Sequence, residues 1–267
     1  MRAAAKGLGL RTGDTVRWLW SYYGSRLPIF RPDREALVRV TVRAGVDQPL
    51  PLLIRINGHD WRVVEEIFLR QIYQTNLGGV RRVLDLGGNI GMAALSFARA
   101  YPDAQICAVE PAPDNLALLN RNVALNSANV RVLAAAAGPH DGGINLAVAD
   151  DPLQYTGARA IPGAQSVKTI RADLKSVPSI LKQLGWLNVD LLKIDIEGGE
   201  ATLLSGRPAW LNSVRTIIGE GHAFVHYDIE ACRRDLEPMG FEVTELAQSE
   251  GAMLFVAHRT GVAGAQG

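Results

Sequence analysis

From Arg81 onward the chain alternates short apolar runs with segments of helical spacing. The pattern predicts strands at 82–86, 104–110, 129–135, 189–195 and 214–220, with strand-like runs at 143–149 and 166–172. Helices are expected at 90–100, 113–126, 173–184, 199–206 and 226–238. Two strands, 240–245 and 251–257, then follow one another with no helix between them. Alternation of this kind implies an α/β fold, with a mostly parallel sheet and helices on both faces. The final pair implies an antiparallel hairpin at one edge.

Upstream the pattern changes. Val38 to Arg43 alternates apolar and polar residues, and Leu52 to Ile56 is an apolar run broken only by Arg55. These read as a hairpin or small sheet. Asn57-Gly58 is a turn signal. Asp60 is expected to cap a helix from Trp61 to Tyr73, on which Val64, Ile67, Phe68 and Ile72 share a face. Gly78-Gly79 breaks the chain before the first core strand. Four segments result: an extension over 1–36, a hairpin-and-helix lead-in over 37–75, the main domain over 76–258 and a small, polar tail over 259–267.

The extension carries seven basic residues and three acids around Trp18, Trp20, Tyr22 and Tyr23. A packed helix, a subunit interface, a membrane-surface contact or a lid would each suit it. Its asymmetry is local, because 28 Lys+Arg against 27 Asp+Glu leave the whole chain near neutral. That balance argues against nucleic acid as the main partner, since phosphate binding needs a basic surface. A homo-oligomer stays open. Cys107 falls in a strand and Cys232 in a helix, which predicts two buried thiols and no disulfide. No apolar run approaches the roughly 20 residues of a membrane span. The N-terminus shows no signal-peptide core, so a cytoplasmic protein is expected.

The chemistry gathers at strand ends. Val83-Leu84-Asp85-Leu86-Gly87-Gly88-Asn89-Ile90-Gly91 is an apolar run, an acid, a glycine turn and a helix start. Such turns cradle nucleotide-like ligands, and their glycines let the backbone approach closely. Glu110 ends the next strand, where an acid suits ribose hydroxyls. The spacing is not G-x-G-x-x-G. An acid before the turn fits the sulfonium and amine of S-adenosylmethionine (SAM) better than a pyrophosphate. A plain strand-to-helix turn and a nicotinamide site are the competing readings.

The second constellation is Lys193-Ile194-Asp195-Ile196-Glu197-Gly198-Gly199-Glu200. Asp195 ends a strand and should face the same cleft as Asp85 and Glu110. Lys193 points to the same side and is expected to pair with a carboxylate or to touch substrate. Glu197 and Glu200 stand at a helix N-terminus, where negative charge is favoured in any case. Glu220-Gly221-His222 ends a further strand. His222 is the first choice for a general base and Asp195 the second. Asp195, Glu220 and His222 would also make a plausible divalent-metal set, although their spacing is not diagnostic and no metal is assigned.

These segments resemble the FkbM family of SAM-dependent methyltransferases. The D-x-G-x-N-x-G turn is Asp85 to Gly91, and Val109-Glu110-Pro111 precedes a helix with Asn115, Leu119, Asn120 and Asn126. The K-x-D-x-E-G-x-E signature is Lys193 to Glu200, and E-x-H is Glu220 to His222. The segment from Asp60 to Tyr73 resembles the helix that precedes the family's SAM turn. The resemblance spans roughly residues 50–258. One departure is Ala172-Asp173, where the family often has L-D.

The resemblance implies a Rossmann-like class I methyltransferase fold, with a mostly parallel seven-stranded sheet, an antiparallel edge hairpin and helices on both faces. It implies O-methylation of a small-molecule or glycan hydroxyl, on a sugar, polysaccharide or polyketide-type metabolite. It places Asp85, Gly87, Gly88, Asn89 and Gly91 around the methionine end of SAM, Glu110 on the ribose, and Asn115 and Tyr73 beside the cofactor. The rivals are a non-catalytic scaffold on the same fold, a nicotinamide-dependent oxidoreductase, and a nucleic-acid N-methyltransferase. The last would carry an Asn/Asp-Pro-Pro-Tyr-type loop where Asp195-Ile196-Glu197-Gly198 stands.

Overall fold

The computed structural model describes residues 6–16, 19, 36–43, 48–56, 59–148, 158–159, 168–248 and 251–261. The aromatic cluster from Trp18 to Tyr23, the Asn57-Gly58 turn and nearly all of the 150–165 loop lie outside these residues.

The lead-in is an antiparallel hairpin, β1 (Leu37–Val42) and β2 (Leu50–Arg55), followed by α1 (His59–Val64). The central sheet then takes β3 (Arg82–Leu86), β4 (Gln105–Glu110), β5 (Val130–Ala134), β10 (Val189–Ile194), β11 (Val214–His222), β12 (Phe241–Gln248) and β13 (Ala252–Arg259). Its order is β12-β13-β11-β10-β3-β4-β5. Only β13 runs against the others, pairing antiparallel with both β11 and β12. This is the mostly parallel sheet with an antiparallel edge that the pattern implied, in the seven strands that the family resemblance implied. A smaller sheet, ordered β6-β9-β7-β8, is built from β6 (Ala136–Gly138), β7 (Gly142–Val148), β8 (Ala158–Arg159) and β9 (Lys168–Ser176).

The helices are α2 (Met92–Ala100), α3 (Pro113–Leu125), α4 (Val177–Leu184), α5 (Glu200–Leu204) and α6 (Ile229–Leu236). Alternation along the strands divides the core into two layers. Val83, Ile106, Ala108, Leu191 and Ile218 pack with α2, α3 and the hairpin. Leu84, Leu86, Cys107, Val109, Leu192 and Ile194 pack with α4, α5 and α6 on the opposite face. Burial on both faces is why these strands read as unbroken apolar runs. Asp85 and Lys193 interrupt two of those runs on the same face, and they stand opposite each other in register. Both cysteines are free and buried. Among the described residues no helix is long and apolar enough to cross a membrane.

Asn122 docks the hairpin to the body. Its amide oxygen accepts from Leu53 N at 2.8 Å, and its amide nitrogen donates to Leu53 O and Ile90 O at 3.0 Å each. A buried side chain thus completes the hydrogen bonding of a strand edge.

Several boundaries differ from expectation. The helix expected over 173–184 begins at Val177, because β9 continues to Ser176 in a ladder with β6 and β7. Ser176 Oγ then caps α4 by accepting from Ser179 N. The helix expected from residue 226 begins at Ile229, with Asp228 as its side-chain cap. The helix expected through Tyr73 leaves α geometry at Glu65 for a π turn ending at Leu69, and Gln71 is left-handed with φ 54°. Asp60 is not a cap. It is fully buried inside α1 and holds the Arg55 guanidinium through two hydrogen bonds of 3.0 and 2.8 Å.

Candidate active site

Two cavities open beyond the carboxyl ends of the central strands. The first runs from Glu110 and Pro111 past Gly87 and Asn89, and it is walled by Val109, Ala136, Ala137, Ile144, Leu146 and Ile196. Glu110 is held by backbone amides, accepting from Asn89 N at 2.8 Å and Ala112 N at 2.9 Å. Burial pushes its pKa up, and these two donors pull the other way. Asn89 is left-handed, with φ 47°, and its Oδ1 is a buried acceptor with no hydrogen-bond partner. Asn115 lines the same cavity and accepts from Arg55 Nη2 at 2.8 Å.

The glycines of the turn serve the chain more than a ligand. A Cβ on Gly87, with φ +84°, would come 1.7 Å from the Asp195 carbonyl oxygen. Gly88 would meet Leu119 and Ala108, and Gly91, with φ +93°, would press on Leu119. Close packing of turn, helix and neighbouring strand therefore requires them. Asp85 lines neither cavity. It is fully buried beneath the turn, 3.0 Å from Lys193 Nζ. Lys193 also donates to Gly87 O at 2.7 Å and lies 3.7 Å from Asp195 Oδ2. Burial works against the ammonium, but Asp85, Asp195 and Glu220 outweigh it and raise its pKa. An acid expected at the methionine end of the ligand is instead the counter-ion of a buried lysine.

The second cavity shares Gly87, Asn89, Asp195 and Glu197 with the first. It adds Arg62, Glu66, Tyr73, Glu220, His222 and Phe224. Tyr73 lies on this side, not along the first cavity. Its hydroxyl stands 2.8 Å from Glu220 Oε1 and 3.1 Å from Asp195 Oδ2. One phenolic proton cannot serve two carboxylates at once. Burial and then the nearby Asp195 charge push Glu220 up to about 7.

His222 is 6% exposed. Its Nδ1 is 3.2 Å from Glu200 Oε1 and its Nε2 is 3.8 Å from Glu197 Oε2. Burial pulls its pKa down, yet Glu200, Asp195 and Glu197 together raise it to about 9. An imidazolium holds its proton at neutral pH, which argues against His222 as a general base. Glu200 is fully buried at the start of α5 and accepts from Ile196 N and Gly198 N at 2.9 Å each. Glu197 is left-handed, φ 53°, at the rim of both cavities. Among the described residues, Asp195, Glu200 and His222 stand close enough to share a metal ion, with Glu200 in place of the expected Glu220.

Comparison with known proteins decides the family. A family model described as the methyltransferase FkbM domain matches residues 85–259. The chain belongs to the FkbM methyltransferase family. It is 28% identical over 216 residues to Methyltransferase sdnD of Sordaria araneosa, covering 68% of this chain and 82% of that protein. It is 31% identical over 142 residues to Methyltransferase 1 of Beauveria bassiana, covering 46% of this chain and 57% of that protein. A solved FkbM methyltransferase from Methylobacillus flagellatus superposes with a TM-score of 0.49 at 13% identity, over 72% of this chain and 47% of that one.

SAM, the methyl donor of FkbM methyltransferases, fits the first cavity on observations of this structure. Glu110 offers a fixed carboxylate, and Asn89 Oδ1 offers a buried acceptor in need of a donor. Ala136, Ala137, Ile144 and Leu146 offer apolar walls for a flat base.

Sequence reasoning missed four FkbM residues at the site. Arg62, Glu66 and Phe224 line the second cavity. The first two lie on the Asp60–Tyr73 segment, whose family resemblance singled out neither, and Phe224 follows the E-x-H motif by two residues. Arg55 reaches Asn115 beneath Glu110. A lone arginine in an apolar strand was its visible signal. Its carboxylate partner five residues on became clear only from the fold.

Proposed function

We propose that this FkbM methyltransferase transfers the methyl group of SAM to a hydroxyl oxygen of a small molecule or glycan. The observation that carries this reading is the meeting of two cavities at Gly87, Asn89, Asp195 and Glu197. One suits the cofactor, and the other holds carboxylates able to accept a proton. SAM, when bound, supplies a sulfonium-activated methyl group to an in-line nucleophile.

The chain's residues do the rest. Glu110 takes the ribose hydroxyls, held in place by Asn89 N and Ala112 N. Asn89 Oδ1 takes a donor from the amino-acid end. Asp195 and Glu220 receive the acceptor's proton, and Tyr73 bridges them so that the proton can be shared. Lys193 holds the underside of the turn to β10, which fixes the distance between the cavities. Much of the acceleration comes from orienting two substrates in adjoining sites. His222 and Glu197 line the acceptor cavity, and buried Glu200 stands behind the His222 ring.

The test is turnover with SAM and a panel of hydroxy-sugars, macrolide alcohols and matched amines. S-adenosylhomocysteine release is followed, and the product linkage is read by mass spectrometry. An O-methyl product supports the reading. Methylation confined to the amines overturns O-directed transfer, and tight SAM binding without turnover on any acceptor favours the non-catalytic scaffold.

A further inference from the structure

Asp195 and Glu197 line both cavities, Glu220 lines the second, and Glu200 is buried beside His222. Asp85 engages the Lys193 ammonium at 3.0 Å, and Glu66 engages Arg62 at 2.9 Å. His222 stands against Glu200 and Glu197, and its buried Nδ1, 3.2 Å from Glu200 Oε1, has no aligned hydrogen bond. One ligand atom each from Asp195, Glu200 and His222 lies within 4.8 Å of the others. Ligand atoms about a divalent ion with bonds near 2.1 Å stand roughly 3 to 4.2 Å apart. The gap is closed by a small movement of Asp195, whose side chain is 27% exposed. Glu200 is already oriented, because Ile196 N and Gly198 N hold its two oxygens. Backbone donors behind a carboxylate are the support a metal ligand needs.

We infer that Asp195, Glu200 and His222 bind one divalent cation, which displaces the proton of the His222 imidazolium, with Mn2+ the best match to a mixed carboxylate–imidazole set. Asp195 and His222 line the acceptor cavity, so the open coordination positions face it. A cation there lowers the pKa of an acceptor hydroxyl, whose proton then passes to Glu220. This role rests on the acceptor reading above, whereas the binding itself does not.

The experiment is Mn2+ titration of chelator-stripped protein, followed by water-proton relaxation, with SAM binding measured in parallel by calorimetry. One Mn2+ per chain is expected, displaced by Zn2+ or Mg2+. Asp195→Asn and His222→Gln should each weaken it by about tenfold or more. Circular dichroism reports whether each variant is folded. If His222→Gln does not fold, Asp195→Asn, the most exposed of the three ligands, carries the test. Wild-type protein that binds SAM but no Mn2+ overturns the cation site and leaves the methyltransferase reading intact. Mn2+ binding undiminished in a folded Asp195→Asn variant also overturns it. Protein that binds Mn2+ but not SAM would instead strike at the cofactor reading alone.

Discussion

The two cavities are built on opposite plans. Around the cavity proposed for the cofactor, the carboxylate is satisfied by backbone amides of two strand-end turns, 21 and 2 residues away. Around the acceptor cavity, carboxylates face one another, and a phenol 147 residues from Glu220 mediates between them. The first plan fixes a carboxylate in place, which suits the binding of one constant ligand. The second leaves a proton free to move, which transfer to a hydroxyl requires. The contrast teaches where to look for specificity. The residues that differ most in origin, Arg62, Glu66, Tyr73 and Phe224, all belong to the acceptor side.

Gly87 stands where the plans meet, and its replacement should have the largest effect. Gly87→Ala places a Cβ against the Asp195 carbonyl at a left-handed φ, so a loss of more than about 4 kcal/mol is expected. Chemical denaturation would measure it, and wild-type stability would refute the packing role. Glu220→Gln separates the cavities. Turnover should fall by about 10²- to 10⁴-fold, while calorimetry finds SAM affinity unchanged. Glu110→Ala is its mirror image. SAM binding should weaken by about 100-fold, on the order of two charge-assisted hydrogen bonds. An unchanged dissociation constant would remove Glu110 from the cofactor site.

The remaining effects are smaller and depend on pH. Glu220 titrates near 7, so kcat should rise with pH through that value, and the limb should vanish in Glu220→Gln. His222 has a folded pKa of about 9, above its ordinary 6.5. Its contribution to stability is therefore complete below pH 6.5 and lost as pH rises through 9. Melting of chelator-stripped protein across that window should show a decline that His222→Gln flattens. A pH-independent difference between the two proteins would mean the imidazole is held by packing alone.

Much of this was legible from local pattern. The apolar runs located β3, β4, β5, β10 and β11 to within two residues, because burial on both faces leaves no other composition open to them. The last two strands, with no helix between them, gave away the antiparallel edge. Boundaries slipped where a cap competed with a ladder, as at Ser176, where β9 and not the helix claims Leu174. The helix running to Tyr73 was misread because nothing in helical spacing announces a π turn.

At the site, the sequence alone determined which side chains would gather. Asp85, Glu110, Asp195 and Glu220 close adjoining parallel strands, and strand ends converge at one rim of such a sheet. What each would do was decided by tertiary structure. β10 lies beside β3 in a register that puts Lys193 opposite Asp85, and this turns a presumed ligand contact into a buried ion pair. Tyr73 enters from the lead-in to lie between two acids, and Glu200 turns His222 from a base into a cation. Strand-forming preference is written in neighbours along the chain. The charge state of a buried group depends on neighbours in space, and sheet order brings these together from segments more than a hundred residues apart.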